Sequence, residues 1–193
     1  IQIHDGECSS FDATMFEWEK LIWRIRMSKT TDDLKAAFAG ESQASRKYLS
    51  FAKKADEEGF SQIARLFRAA SLAETIHAHN HLKALDGIQS TAENLGTAIA
   101  GENYEVTSMY PDFLKDAEEE GAKRALRSFN WAMEVEKVHE ELYRKALAAL
   151  EAHEAQTGND YYVCPFCGYT HEGPLEGKCP VCGAPGEKFE RVS

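Results

Sequence analysis

The stretch LAETIHAHNH, Leu72 to His81, has the apolar spacing of a helix, yet Glu74 and His77 fall on its apolar stripe. Side chains three residues apart share one helical face. Taking an unpaired carboxylate out of water costs several kcal/mol, against a domain stability of roughly 5–15 kcal/mol. The pair therefore calls for a compensating cation. The same spacing recurs as Glu136 and His139 in EVEKVHEEL, residues 134–142.

That recurrence belongs to an internal repeat. AAFAGESQ (36–43) parallels TAIAGENY (97–104), ADEEGF (55–60) parallels AEEEGA (117–122), and ETIH (74–77) parallels EKVH (136–139). Glu102 follows Glu41 by 61 residues, whereas Gly121 follows Gly59 by 62. One extra residue therefore lies in the third helix, where a π-bulge is the usual way to absorb it. Pro111 predicts a local kink nearby.

The pattern predicts four long helices. The first spans about 32–58 after a cap at Thr30 or Thr31, and stops at Gly59. The second spans 61–85 and stops at Asp86-Gly87. The third opens at the capping box Ser90-x-x-Glu93 and stops at Gly121, and the fourth spans 122–152. Helices of this length on short connections predict a mainly α protein built as a four-helix bundle.

Each helix carries ionisable groups in mid-stripe. The first stripe is Leu34, Phe38, Glu41, Tyr48, Ala52 and Ala55; the second is Ile63, Phe67, Ala70, Glu74, His77 and about Leu85. The third is Leu95, Ile99, Glu102, Glu105, Met109 and Phe113; the fourth is Leu126, Phe129, Met133, Glu136, His139 and Leu147. Two Glu-x-x-His motifs plus a Glu from each remaining helix form the di-iron or di-manganese carboxylate pattern. Glu with imidazole and no thiolate suits iron.

Glu105 breaks the repeat, because its counterpart is Ala44. Four carboxylates balance two ferrous ions, and oxidation adds charge that favours Glu105 over the neutral His77. An exchange of these two ligands is the expected consequence. Tyr48 and Tyr110 occupy equivalent places and are candidates for hydrogen bonds to ligand carboxylates. His79 and His81 read as surface or supporting groups.

The whole chain has 193 residues, is 43% hydrophobic and carries a net charge of −10, which argues against a nucleic-acid footprint. It has no apolar run of about 18 residues for a membrane span, and its first residues lack the apolar core of a secretory signal. Of five cysteines, Cys8 reads as an ordinary free thiol. The others form Cys164-x-x-Cys167 and Cys179-x-x-Cys182, with eleven residues between the pairs. Two such knuckles make a tetrathiolate site, and their use points to a reducing, cytoplasmic compartment. Alone the site is ambiguous between zinc and iron. Beside a di-iron centre, iron gains weight, because Fe(Cys)4 passes single electrons and zinc does not.

Four segments follow. Residues 1–29 form an N-terminal extension, with Met27 resembling a natural start and a helix around 16–25 as the other reading. Residues 30–154 form the bundle, 155–161 a polar linker, and 162–193 a cysteine module.

The segments AFAGESQA, AETIHAHNH, GENYEVTSMYP, EVEKVHEELYRKAL and YVCPFCGY…CPVCGAP together resemble the rubrerythrin family, in order, over residues 28–193. The resemblance implies a ferritin-like bundle holding two non-haem irons, and a C-terminal rubredoxin-like domain with one Fe(Cys)4 centre. It implies Glu41, Glu74, His77, Glu102, Glu105, Glu136 and His139 as di-iron ligands, with Glu74 and Glu136 bridging. It also implies peroxidase activity: hydrogen peroxide is reduced to water, with electrons from a separate carrier such as rubredoxin or an NAD(P)H-dependent reductase. The activity would protect against oxidative stress. The competing readings are an iron-oxidising or iron-storing ferritin relative, and a metal-loaded scaffold with a zinc-ribbon interaction module.

One connection is too short for that fold in a single chain. In ferritin-like bundles the second and third helices run parallel. A helix of about 25 residues is about 37 Å long, while residues 86–89 with a neighbour or two reach roughly 20 Å. The preferred expectation is a domain-swapped homodimer, with an up-down-up-down bundle as the alternative. Each centre would then combine Glu41, Glu74 and His77 of one chain with Glu102, Glu105, Glu136 and His139 from the other.

Overall fold

The computed structural model describes residues 29–154, 158 and 160–192. The expectations for the N-terminal extension, its helix, Cys8 and Met27 lie outside the described residues, as do 155–157 and 159 of the linker. The chain divides into two units, the first ending at Ile88 and the second beginning at Gln89.

The first unit is a helical hairpin of α1 (Lys29–Glu57) and α2 (Ser61–Ala84). Helix α1 already runs through Thr30 and Thr31, so neither caps it. At its far end Gly59 adopts φ +84°, a left-handed conformation that glycine reaches without a Cβ penalty. Phe60 N–H then donates to Ala55 O at 2.8 Å and Gly59 N–H to Asp56 O at 3.0 Å, which is a Schellman closure. Helix α2 ends the same way, but its left-handed residue is Asp86, at φ +51°, rather than Gly87.

Small side chains make the contact between α1 and α2. Ser45, Ala52 and Ala55 are buried on one helix, and Ala64, Ser71 and Ala78 on the other. Ser45 Oγ lies 3.2 Å from Ser71 Oγ and 2.9 Å from Thr75 Oγ1, and Ser71 donates to the Ser45 carbonyl at 2.9 Å. These bonds satisfy the hydroxyls where the backbones approach. Within this unit the row that α2 buries against α1 runs one position beyond the predicted stripe, through Ala64, Ser71 and Ala78, and leaves Ile63 and His77 exposed.

The second unit holds α3 (Thr91–Tyr104), a π turn (Glu105–Met109), α4 (Tyr110–Glu119) and α5 (Lys123–Glu151). Ser90 and Glu93 form the expected capping box. The π turn accommodates the extra residue of the repeat at the predicted helix, and Pro111 follows at the start of α4, where the backbone stays helical. Gly121, at φ +65°, closes α4 as Gly59 closes α1. Beyond the π turn the two hairpins regain register. The rings of Tyr48, Phe51 and Phe67 cluster at 5.6–6.2 Å, and those of Tyr110, Phe113 and Phe129 at 5.5–6.3 Å. Phe113 packs in this cluster but stays exposed on its outer side, unlike a mid-stripe residue.

The unit ends in a three-stranded antiparallel sheet, order β2-β1-β3, made of β1 (Tyr161–Val163), β2 (Thr170–Glu172) and β3 (Glu190–Val192). Cys164, Cys179 and Phe189 form its small core. Among the described residues, no helix is long and apolar enough to cross a membrane.

Ala64 is fully buried between α1 and α2. Ala64→Leu should overpack this contact and cost about 1–3 kcal/mol, read as a lowered urea midpoint, whereas Leu72→Met, at an exposed position of the same helix, should leave the midpoint unchanged.

Candidate metal centres

Each helical hairpin gathers one carboxylate–histidine triad. In the first, ligand atoms of Glu41, Glu74 and His77 all lie within 4.8 Å of one another; in the second, those of Glu102, Glu136 and His139 do. Within each Glu-x-x-His pair the spacing delivers the expected contact. His77 Nδ1 lies 2.8 Å from Glu74 Oε2, and His139 Nδ1 lies 2.7 Å from Glu136 Oε2. The two imidazoles differ in surroundings, since the His77 side chain is 54% exposed and that of His139 is 27%. The sequence puts both in mid-stripe, and only His139 is covered to that degree within its own unit.

Electrostatics mark the second triad. Burial, then the Glu136 carboxylate, raises the carboxyl of Glu102 to about 7. Glu105, at the first position of the π turn, is also raised, by burial and then by Glu136. His139 is raised through its hydrogen bond to Glu136, against the opposing effect of burial. Carboxylates crowded this way hold protons that a cation would replace, and the oxygen and imidazole donors suit iron.

Two phenols belong to this neighbourhood. Burial, followed by the carboxylates of Glu105, Glu136 and Glu102, raises Tyr110. Tyr143 is raised by burial and then by Glu102 and Glu136. The sequence reading missed Tyr143, although it stands four residues after His139 on the same helical face. Tyr48 packs on Phe51 and Phe67 as Tyr110 packs on its own pair.

The four module cysteines are unpaired thiols whose sulfurs lie within 4.8 Å of one another. Cys164 Sγ is 3.6 Å from Cys182 Sγ, and Cys167 Sγ is 3.6 Å from Cys179 Sγ. A tetrahedral site with metal–sulfur bonds of about 2.3 Å has sulfur edges of roughly 3.8 Å, so the set fits one metal ion. The two knuckles are built alike. Gly168 N–H donates to Cys164 O and Gly183 N–H to Cys179 O, each at 2.9 Å, with both glycines at positive φ. Burial alone raises the Cys164 thiol, but N–H groups of Phe166 and Cys167 bring it below the usual value. Burial pushes Cys167 up.

The module sits against α5. His139 Nε2 is 2.9 Å from Thr170 Oγ1, Lys145 pairs with Glu172, and a cavity of about 290 Å³ lies beside the contact. Leu95, Leu142, Tyr143, Ala146 and Tyr161 line it together with His139 and Thr170. Nothing in the sequence pattern links Thr170 to His139, because the two lie in different modules.

The helical part, residues 32–147, matches the rubrerythrin family, and residues 162–190 match the rubredoxin-like domain of rubrerythrin. The chain belongs to the rubrerythrin family. It is 39% identical over 180 residues to nigerythrin of Nitratidesulfovibrio vulgaris, covering 86% of this chain and 88% of that protein. It is 40% identical over 182 residues to rubrerythrin of Porphyromonas gingivalis, covering 86% and 91%. It is also similar to the structure of fully reduced, all-ferrous nigerythrin, with a TM-score of 0.51 at 37% identity over 86% of this chain and 88% of that one. Family membership carries the ferritin-like and rubredoxin-like fold assignments.

The raised groups set the pH response of the metal-free protein. Glu102 and Glu105 bind protons more tightly when folded, so their contribution is full below about 4.5 and is lost as pH rises, for Glu102 through about 7. The raised His139 contributes below its unfolded value of 6.5 and loses this at higher pH, in the same direction. Urea unfolding of metal-free protein should therefore show lower stability at pH 8 than at pH 5. Glu102→Gln should flatten that slope.

Proposed function

We propose that the chain is a non-haem di-iron peroxidase, reducing hydrogen peroxide to water with electrons delivered through iron on its four cysteines. The observation that carries this reading is the contact, within one unit, between a carboxylate–histidine triad and a tetrathiol module, at His139 and Thr170. Glu41, Glu74 and His77, with Glu102, Glu105, Glu136 and His139, would hold two irons. Cys164, Cys167, Cys179 and Cys182 would hold the third. Bound at these residues, iron in the bundle would supply the two electrons that O–O cleavage needs, and iron on the thiolates would return them singly.

The chain's own groups account for the rest. Ionised carboxylates of Glu41, Glu74, Glu102 and Glu136 balance a charge of +4. Tyr110, whose raised phenol keeps its proton beside the carboxylates, stands as a hydrogen-bond donor, and Tyr143 does likewise. The side chains of Leu95, Leu142 and Ala146 give the cavity at the module contact an apolar wall. Electrons enter from an external donor, such as rubredoxin or an NAD(P)H-dependent reductase, in a reducing cytoplasm that keeps the four cysteines as thiols.

Cys164→Ser tests the electron route. Chemically reduced variant should still be oxidised by one pulse of peroxide, while steady turnover from an external reductase should vanish. Full steady turnover would remove the internal donor and leave the iron-oxidising ferritin reading in its place.

The assembly we propose is a domain-swapped homodimer. Helix α2 has 24 residues and so is about 36 Å long, while residues 85–90 reach roughly 20 Å. On the first hairpin Ile63, on the helix face that carries Glu74 and His77, is 48% exposed, an apolar position on that face for a second copy of the chain to cover. Co-expressing Glu74→Ala with Glu136→Ala chains tests the swap. In a swapped heterodimer both lesions fall in one centre and the other stays whole, so activity should return. Persistent inactivity of confirmed heterodimers would contradict it.

A further inference from the structure

The hydroxyl of Thr170 has two neighbours, and together they fix the direction of its hydrogen bonds. It lies 2.9 Å from His139 Nε2 and 3.2 Å from the carbonyl oxygen of Gly168. A carbonyl only accepts. The Thr170 proton therefore goes to Gly168, its oxygen is left to accept, and His139 Nε2 must carry a hydrogen. The ring's other nitrogen, Nδ1, faces Glu136 Oε2 at 2.7 Å.

We propose that Thr170 is a positioning residue for the metal centre of the second hairpin. By accepting from Nε2–H, its hydroxyl holds the His139 ring with Nδ1 toward Glu102 and Glu136, and makes the seating of the cysteine module a condition of that orientation. The inference rests on the reading of His139 as a metal ligand.

Three further features support it. The Lys145–Glu172 pair already fastens β2 to α5, so docking does not require a hydroxyl at position 170. Among the described residues the bond has no counterpart at His77, whose side chain is 54% exposed. Finally, the relay starts on the knuckle itself: Gly168 directly follows Cys167, and its N–H donates to Cys164 O at 2.9 Å. A shift of the knuckle would reach His139 through two hydrogen bonds and one side chain. Partners of this kind fix which imidazole nitrogen meets the metal.

The test uses the full chain, labelled with ¹⁵N-histidine and titrated with Zn(II), which is diamagnetic. The His139 signals are assigned by their loss in His139→Gln. In the unmodified chain and in Thr170→Ser, zinc should shift Nδ1 while Nε2–H persists and exchanges slowly. In Thr170→Val, Nε2–H exchange should accelerate about tenfold or more, and zinc affinity of the bundle should fall about ten- to a hundredfold. If the Val variant does not fold, Thr170→Ala makes the same comparison. A Val or Ala variant matching the unmodified chain in both measurements overturns the proposal, as does a Ser variant that behaves like Val. If zinc shifts neither His139 nitrogen in the unmodified chain, the ligand reading itself fails, and that outcome is distinct from the other two.

Discussion

The structure depends on one electrostatic constraint: in the second hairpin carboxylates and an imidazole crowd together on facing helices with part of their hydration removed. Beside Glu136 and His139, Glu102 holds its proton to about 7. A cluster that resists ionisation weakens the metal-free fold near neutral pH. A cation reverses this by converting mutual repulsion into shared attraction. Stability and metal binding are thus coupled through the same side chains.

The two hairpins are near copies, and their differences are informative. Matching aromatic triplets, Tyr48/Phe51/Phe67 and Tyr110/Phe113/Phe129, fix the same packing below each triad. The π turn then sets Glu105 where the first hairpin has Ala44, and the cysteine module adds Thr170 at His139, while among the described residues His77 has no such cover. Both additions fall on the second hairpin. The asymmetry therefore concentrates the extra carboxylate and the contact with the tetrathiol cluster at one triad.

Much of this was legible in the residues. Gly59, Gly121 and the Ser90–Glu93 box mark helix ends through backbone requirements that few other residues meet. The change of offset from 61 to 62 locates the π turn because a helix has no other cheap way to carry one more residue. The row that α2 buries against α1 was not read, because close helix contact selects small residues, Ala64, Ser71 and Ala78, which carry little apolar signal. The stop of α2 at Asp86-Gly87 was legible as well, although aspartate takes the left-handed conformation less often than glycine. Tyr143 was hidden by sharing its face with ordinary core residues. Thr170 was hidden because its partner lies in another module, and spacing carries no information across that distance.

We propose that oxygen and nitrogen donors in the bundle, and sulfur donors in the module, hold iron in the same chain. Mössbauer spectroscopy of ⁵⁷Fe loaded anaerobically into the full chain tests this most directly. The expected spectrum has about two high-spin ferrous ions in oxygen and nitrogen surroundings for each tetrathiolate ion. A spectrum holding only the tetrathiolate signal at saturating iron would contradict it.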